Sequence, residues 1–458
     1  MIIQSRGRNA PTRRSFLAGA GAAGLAAAIP ASLRAQVAPT PVLIRGAAIF
    51  DGRAPGLIAG SDVLIENGMI SAVGPNLSAP EAKAIDASGL TLTPGLTDAH
   101  THIMWQDEIE ELIYGSPHEY TGAMAAEGAR RMLLRGFTTV RDAGGPAFGL
   151  KRAIDSGVLA GPRILPSGFF ISQTSGHGDF EPRLNYLSPH FTGQLDPAYL
   201  RGWTITADGK AEAIKAAREA LRYGASQLKI MGSGSITGAH DPLDVTEFTL
   251  EELQAIVAEA QKWGTYAQIH AYSDAAVQNA LIAGVRSVEH GLFASEASMQ
   301  MMKDKDVFFS TQYLTYAASP EEAGLTGEAV PKFLQAKAGA TAGYERAKAF
   351  GLKVAWGTDI LGTIDKGPFQ SLEFVARTPY YTPIEILMQA TSGNAELFAR
   401  SGPRHPYRAG PLGVIAPGAY GDLLLVDGNP LDDIAVLTTP DTSLALIMKG
   451  GVVHKTLL

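Results

Sequence analysis

The chain has 458 residues, no cysteine and a formal net charge of −7. Without thiols, disulfides and thiolate zinc sites are excluded, so any metal must be held by His, carboxylate or a rarer ligand. The acidic balance excludes the basic footprint of a nucleic-acid binder, while the length, with 46% hydrophobic and 18% charged residues, suits two or more domains or one large barrel with an appendage.

The first predicted element is an export signal over residues 1–35. Arg13 and Arg14 are followed by Phe16, Leu17 and a Gly/Ala-rich, weakly apolar run to Ile29. Cleavage near Ala35 is expected, although Leu33 is large for the −3 position. The twin-arginine pair predicts a periplasmic or secreted protein, exported already folded. No later run of about twenty apolar residues suggests a membrane span, so no membrane partner is expected once the signal is removed.

Residues 36–92 read as β-structure: "PVLIRGAAIFDG", "DVLIENGMISAVG" and "AKAIDASGL" are short apolar runs, with the Asn67-Gly68 turn inside the second. The C-terminus, 405–458, reads similarly through "GVIAPGAYGDLLLVDGNP" and "LALIMKGGVVHKTLL". The two ends are expected to meet in one small β-sandwich. Between them, 93–404 alternates strands and helices. The strands are "LTLTPGLTDAH", "FTTVRDAG", "RILPSGFFIS", "SQLKIMGS", "YAQIHAYS", "RSVEHGLF", "VFFSTQYL" and "KVAWGTDI". The intervening stretches show apolar spacing near 3.6 and often end in Gly. The fold class is therefore α/β: a (β/α)8 TIM barrel flanked by the sandwich. An open doubly wound sheet is disfavoured, because no G-x-G-x-x-G turn follows a strand. Residues 172–209 form a long polar loop after the third strand, and 317–348 add helix before the eighth.

In such barrels the chemistry lies at the C-terminal ends of the strands. His100 and His102 end the first strand, and residues two apart share a face. Asp98 precedes them. Lys229 lies on the fourth strand, His270 ends the fifth, His290 the sixth and Asp359 the eighth. Four histidines, a lysine and an aspartate at strand ends point to a metal centre. Lys229 is the odd member, since an unpaired ammonium is costly in an apolar strand. Carboxylated by carbon dioxide it becomes an anionic carbamate able to bridge two metals; the other reading is a cation paired with Asp359. Arg141 and Asp142 end the second strand and read as a structural ion pair.

These motifs ("DAHTH", "LKIMGSGS", "QIHAYS", "VEHG", "WGTD" and the flanking "GVIAPGAYGDLLLVDGNPL") resemble those of the metal-dependent amidohydrolase superfamily, from about Val42 to the end. The likeness is strongest to its imidazolonepropionase-like, Xaa-Pro dipeptidase-like branch, which includes ochratoxin-hydrolysing amidases. The resemblance implies that His100, His102 and Asp359 bind the more buried metal and His270 and His290 the second, with N6-carboxylated Lys229 bridging. It implies two divalent ions, zinc first, and a homo-oligomer. Deaminase members carry H-x-E on strand five, whereas this chain has His270-Ala271-Tyr272 and keeps the lysine, which favours a two-metal hydrolase.

The expected activity is hydrolysis of amide bonds in dipeptides or N-acyl amino acids. The alternatives are a lactam, lactone or ester hydrolase using the same site, and an inactive metal-containing binding protein. Asp359 is the expected proton shuttle. His177, on the loop after strand three, would bind substrate and donate to the developing oxyanion. Ser233 and Ser235 are candidate substrate contacts. His177, Arg183, His190 and Arg201 are candidate partners for a substrate carboxylate. Phe180, Tyr186 and Trp203 would form apolar walls, which predicts a preference for an apolar or aromatic leaving amino acid, as in ochratoxin-like amides.

Overall fold

The computed structural model describes residues 40–180, 193, 195–238 and 241–458. The expected signal with Arg13 and Arg14, and the loop residues Arg183, Tyr186 and His190, lie outside the described residues.

All eight short apolar runs of the central region are strands, and they pair in parallel and in order. They are β1 (Leu96–Thr101), β2 (Phe137–Asp142), β3 in two pieces (Arg163–Pro166 and Phe170–Ser172), β4 (Leu228–Met231), β5 (Ala267–Ala271), β6 (Ser287–His290), β7 (Phe308–Ser310) and β8 (Val354–Ala355). The Ala99 amide donates to the Trp356 carbonyl and the Asp359 amide to the His100 carbonyl, each at 2.8 Å. These bonds join the last strand to the first and close the barrel. Its strands are buried on both faces, which is why they read as continuous apolar runs without alternation. Gly357 permits the closure: a Cβ there would fall 2.8 Å from the Cβ of His100.

The first run divides at Gly95. Its N-terminal half, Thr91–Pro94, leaves the barrel and pairs with Leu423–Val426 in a five-stranded sheet. A four-stranded sheet built on Val42–Arg45 faces it. Val42, Ile44, Val63, Ile65 and Ile70 from one sheet meet Leu92, Leu423, Leu425 and Met448 from the other. The alternate residues Leu424 and Val426 turn to the barrel's own core. Period-two alternation thus explains the unbroken "LLLV": both faces of that strand are buried, one in each core.

The helices begin and end where local chemistry stops them. Leu250–Lys262 starts in a capping box of Thr249 and Glu252, and Lys210–Tyr223 ends at Gly224 with φ 104°. The loop after β3 carries a short helix, Pro197–Leu200, and a strand, Thr204–Thr206, that pairs beside Phe170–Ser172. The added segment before β8 holds the helix Ala329–Phe350. Among the described residues no helix is long and apolar enough to cross a membrane.

Arg141 and Asp142 do not pair with each other. Neighbours on a strand face opposite sides. Arg141 instead reaches Glu289 on β6 at 2.8 Å and donates to the Ala99 carbonyl at 2.5 Å, while Asp142 accepts from the Ile103 amide at 3.1 Å. An ion pair is present, but it crosses the barrel.

Candidate metal centre

His100, His102 and Asp359 gather at the C-terminal mouth of the barrel, each offering one ligand atom within 4.8 Å of the others. Nε2 of His100 and of His102 lie 3.3 and 3.2 Å from Asp359 Oδ1, and Nε2 of His290 lies 4.0 Å from Oδ2. The ring nitrogens on the far side are all engaged. His100 Nδ1 meets Glu289 Oε2 at 2.8 Å, His102 Nδ1 the Gly144 carbonyl at 3.0 Å, and His290 Nδ1 Gln312 Oε1 at 2.7 Å. Those oxygens accept, so each Nδ1 donates and each neutral ring turns an Nε2 lone pair toward Asp359. Lone pairs and a carboxylate facing one another repel. Asp359 Oδ1 is accordingly buried with no hydrogen-bond partner. A cation between them relieves that repulsion, and the outer acceptors are those that orient imidazole ligands. The donor set fits a divalent metal of the zinc type.

Burial holds His100 down to about 4 and His290 down to about 3. It also pushes His270 well below the usual imidazole range. These rings are neutral and ready to ligate at neutral pH. Burial alone would raise Asp359, whereas positive charge on the His100, His102 and His290 side of the site, which a bound cation would supply at neutral pH, holds it well below the carboxylate range. His290 and Asp359 both stand in left-handed backbone, at φ 71° and 52°. For side chains other than glycine this costs about 1–3 kcal/mol each and is found where strand ends are bent to serve a site.

His270 lies beside His290, with ring centroids 4.5 Å apart. Its Nε2 faces the Gly234 carbonyl at 3.3 Å, which leaves Nδ1 as the available ligand atom. Lys229 is 1% exposed, and no described residue forms a hydrogen bond or ion pair with its ammonium. Burial lowers it to about 8, against the pull of Glu289 and Asp359. Its charge also depresses His100, His270 and His290. A lysine so placed reaches its neutral, nucleophilic form readily, and as an anion it would end this repulsion.

The other expected residues divide. His177 stacks on His270 at 4.4 Å between centroids. Phe180 and Trp203 both lie against Trp105, at 6.2 and 6.0 Å, and Trp105 is 5.9 Å from His102, so an aromatic wall stands beside the centre. Ser233 and Ser235 are buried, and their hydroxyls bind backbone amides: Ser233 accepts from Tyr272, at the end of β5, at 2.7 Å and Ser235 from Gly238 of its own loop at 2.9 Å. Arg201 donates to the carbonyls of Leu112 and Ser116. Glu289, Gln312, Asp241 and Glu247 have site contacts that sequence reasoning missed. Only Glu289 carried a signal, an acid in an interior strand directly before His290.

A closed barrel with a His-His-Asp group at its mouth fits a hydrolase of the amidohydrolase kind. The amidohydrolase family model matches residues 91–454, and the chain belongs to that family. Ochratoxinase from Aspergillus niger is 33% identical over 375 residues, covering 80% of this chain and 75% of the relative. Among solved structures, an amidohydrolase superposes with a TM-score of 0.84 at 35% identity, covering 92% of this chain and all of that one. A prolidase complexed with N-methylphosphonate-L-proline gives 0.83 at 33% identity, covering 91% of this chain and all of that one.

Proposed function

We propose that the protein is a binuclear metal-dependent hydrolase that cleaves the amide bond of dipeptides or N-acyl amino acids with an apolar or aromatic C-terminal residue. The observation that carries this reading is the convergence of three imidazole Nε2 atoms on the Asp359 carboxylate, those of His100 and His102 on Oδ1, which has no hydrogen-bond partner among the described residues, and that of His290 toward Oδ2. His100, His102 and Asp359 would hold one ion and His270 and His290 the other, with carboxylated Lys229 between them. Bound zinc supplies Lewis acidity and a water acidic enough to react at neutral pH. Asp359 accepts the proton of the attacking water and returns it to the leaving amine. His177 faces the oxygen on which charge develops and would donate a ring N–H to it. The aromatic wall of Trp105, Phe180 and Trp203 suits an apolar leaving group, and the names of the relatives, an ochratoxinase and a prolidase, point to amides that release an amino acid.

Elemental analysis together with an amide panel tests this. Two equivalents of metal per chain are expected, with kcat/KM highest for an N-acyl-phenylalanine, lower for N-acyl-lysine and N-acyl-aspartate, and sharply reduced when the phenylalanine carboxylate is amidated. Turnover of lactones or esters alone would replace the amide reading. Faster cleavage of the charged substrates, or indifference to amidation, would replace the pocket assignment.

A further inference from the structure

The loop after β4 holds a carboxylate for which a purely structural role gives no account. Asp241 is 1% exposed, yet among the described residues its Oδ1 has no hydrogen-bond partner. Burying a carboxylate this way is costly unless the charge is used. Its Oδ2 accepts from the Ser235 amide at 2.8 Å and lies 3.2 Å from Nδ1 of His177. The latter contact is in ion-pair range without the angle of a straight hydrogen bond, a looseness common in catalytic contacts before substrate binds.

Everything around Asp241 serves to hold it there. Gly238 packs so closely that a Cβ would fall 1.6 Å from Oδ1. Lys332, on the helix Ala329–Phe350, donates to the carbonyls of Ser235, Gly238 and Asp241 at 3.1–3.2 Å and ties the loop down. The same loop offers the Gly234 carbonyl to His270. One bracket therefore fixes two stacked histidines, His270 through a backbone carbonyl and His177 through a side chain. Apart from this contact and the His270 ring, His177 is held through its backbone, whose amide donates to Glu247 at 2.8 Å.

We infer that Asp241 is the positioning residue of His177: it holds Nδ1 and so makes Nε2 the nitrogen presented to the substrate carbonyl. This rests on the role given to His177 under Proposed function, and the two are separable. On N-benzoyl-phenylalanine, His177→Ala should lower kcat by about 10²–10³-fold, the cost of one oxyanion donor. Asp241→Asn should lower kcat by roughly 10–100-fold, the usual cost of losing the partner that orients a functional histidine, with KM and metal content little changed. In the His177→Ala background Asp241→Asn should cost nothing further. Lys332→Met, which loosens the loop but keeps the carboxylate, should lower the melting temperature more than it lowers kcat.

A second measurement is independent of turnover. The wild-type protein should show a downfield imidazole N–H proton resonance that vanishes both in His177→Ala and in Asp241→Asn. An inert His177→Ala would remove the role of His177. A damaging His177→Ala beside a normal Asp241→Asn would remove only the inference. So would additive losses in the double variant, equal kcat losses in Lys332→Met and Asp241→Asn, or a downfield signal that is absent or survives Asp241→Asn.

Discussion

At the scale of single residues, the centre is a problem of uncompensated charge. Lys229 is buried and Asp359 half-buried among the same imidazoles, and among the described residues Asp359 Oδ1 has no hydrogen-bond partner. A carbamate on Lys229 reverses the sign of the lysine and supplies two oxygens where cations are wanted. Lys229→Ala should therefore lose metal and nearly all turnover, and added short carboxylic acids should restore part of the activity by standing in for the carbamate. Intact-mass measurement at neutral pH checks the modification itself: an unmodified lysine in a fully metallated, active enzyme would end the idea. Asp359→Asn keeps the shape of the ligand but not its basicity. Turnover should fall by about 10²–10⁴-fold, the span for a lost general acid–base group, while elemental analysis shows a smaller loss of metal because the histidines remain. Near-normal kcat in this variant would move the proton-transfer role elsewhere.

At the scale of elements, the barrel was legible because each unit announces itself locally: a short apolar run, a polar end, a helix with a Gly stop. The ligand positions were legible for the same reason, since a residue at a strand end is placed by its own strand. Their supports were not. Glu289 meets His100 and Arg141 from 189 and 148 residues away, and Gln312 meets His290 from the next strand. Such contacts depend on which strands lie opposite, which local patterns do not encode; hence the mistaken pairing of Arg141 with Asp142. Ser233 and Ser235 looked available because a Gly-Ser turn does not reveal which amides its hydroxyls will meet. The loop after β4 adds a pH dependence of its own. Glu247 is buried beside the His177 backbone, with Asp241 and Asp179 nearby, and burial raises its carboxyl from the ordinary 4.5 to about 8. A carboxyl raised on folding binds its proton more tightly in the native state. Its contribution to stability is full below about 4.5 and is lost as pH rises through about 8. Glu247→Gln keeps an acceptor for the His177 amide but has no proton to lose. Thermal melts should show wild type losing stability as pH rises from about 4.5 to about 8 and the variant losing markedly less over the same range. Parallel pH curves for the two proteins would show that Glu247 is ionised without penalty.

At the scale of the whole molecule, the metal centre exists only when the barrel is closed. Its proposed ligands come from β1, β4, β5, β6 and the turn after β8, and the bonds from Ala99 to Trp356 and from Asp359 to His100 bring first and last together. An unfolded chain presents no such site, so metal would bind only once the barrel has folded. That requirement meets the expected twin-arginine signal at Arg13 and Arg14, because a route that carries folded proteins delivers a centre already assembled. The lack of cysteine is consistent with it: this fold needs no oxidising compartment to complete it. Changing Arg13 and Arg14 together to Lys should therefore hold the precursor in the cytoplasm without harming it. Cell fractionation should find the double variant inside, and the retained protein, once purified, should match the exported form in metal content, melting temperature and kcat on N-acyl-phenylalanine. Delivery of the variant to the periplasm at the parent's rate would reject the signal. A retained protein that is folded but metal-free would keep the signal and place metal loading after export.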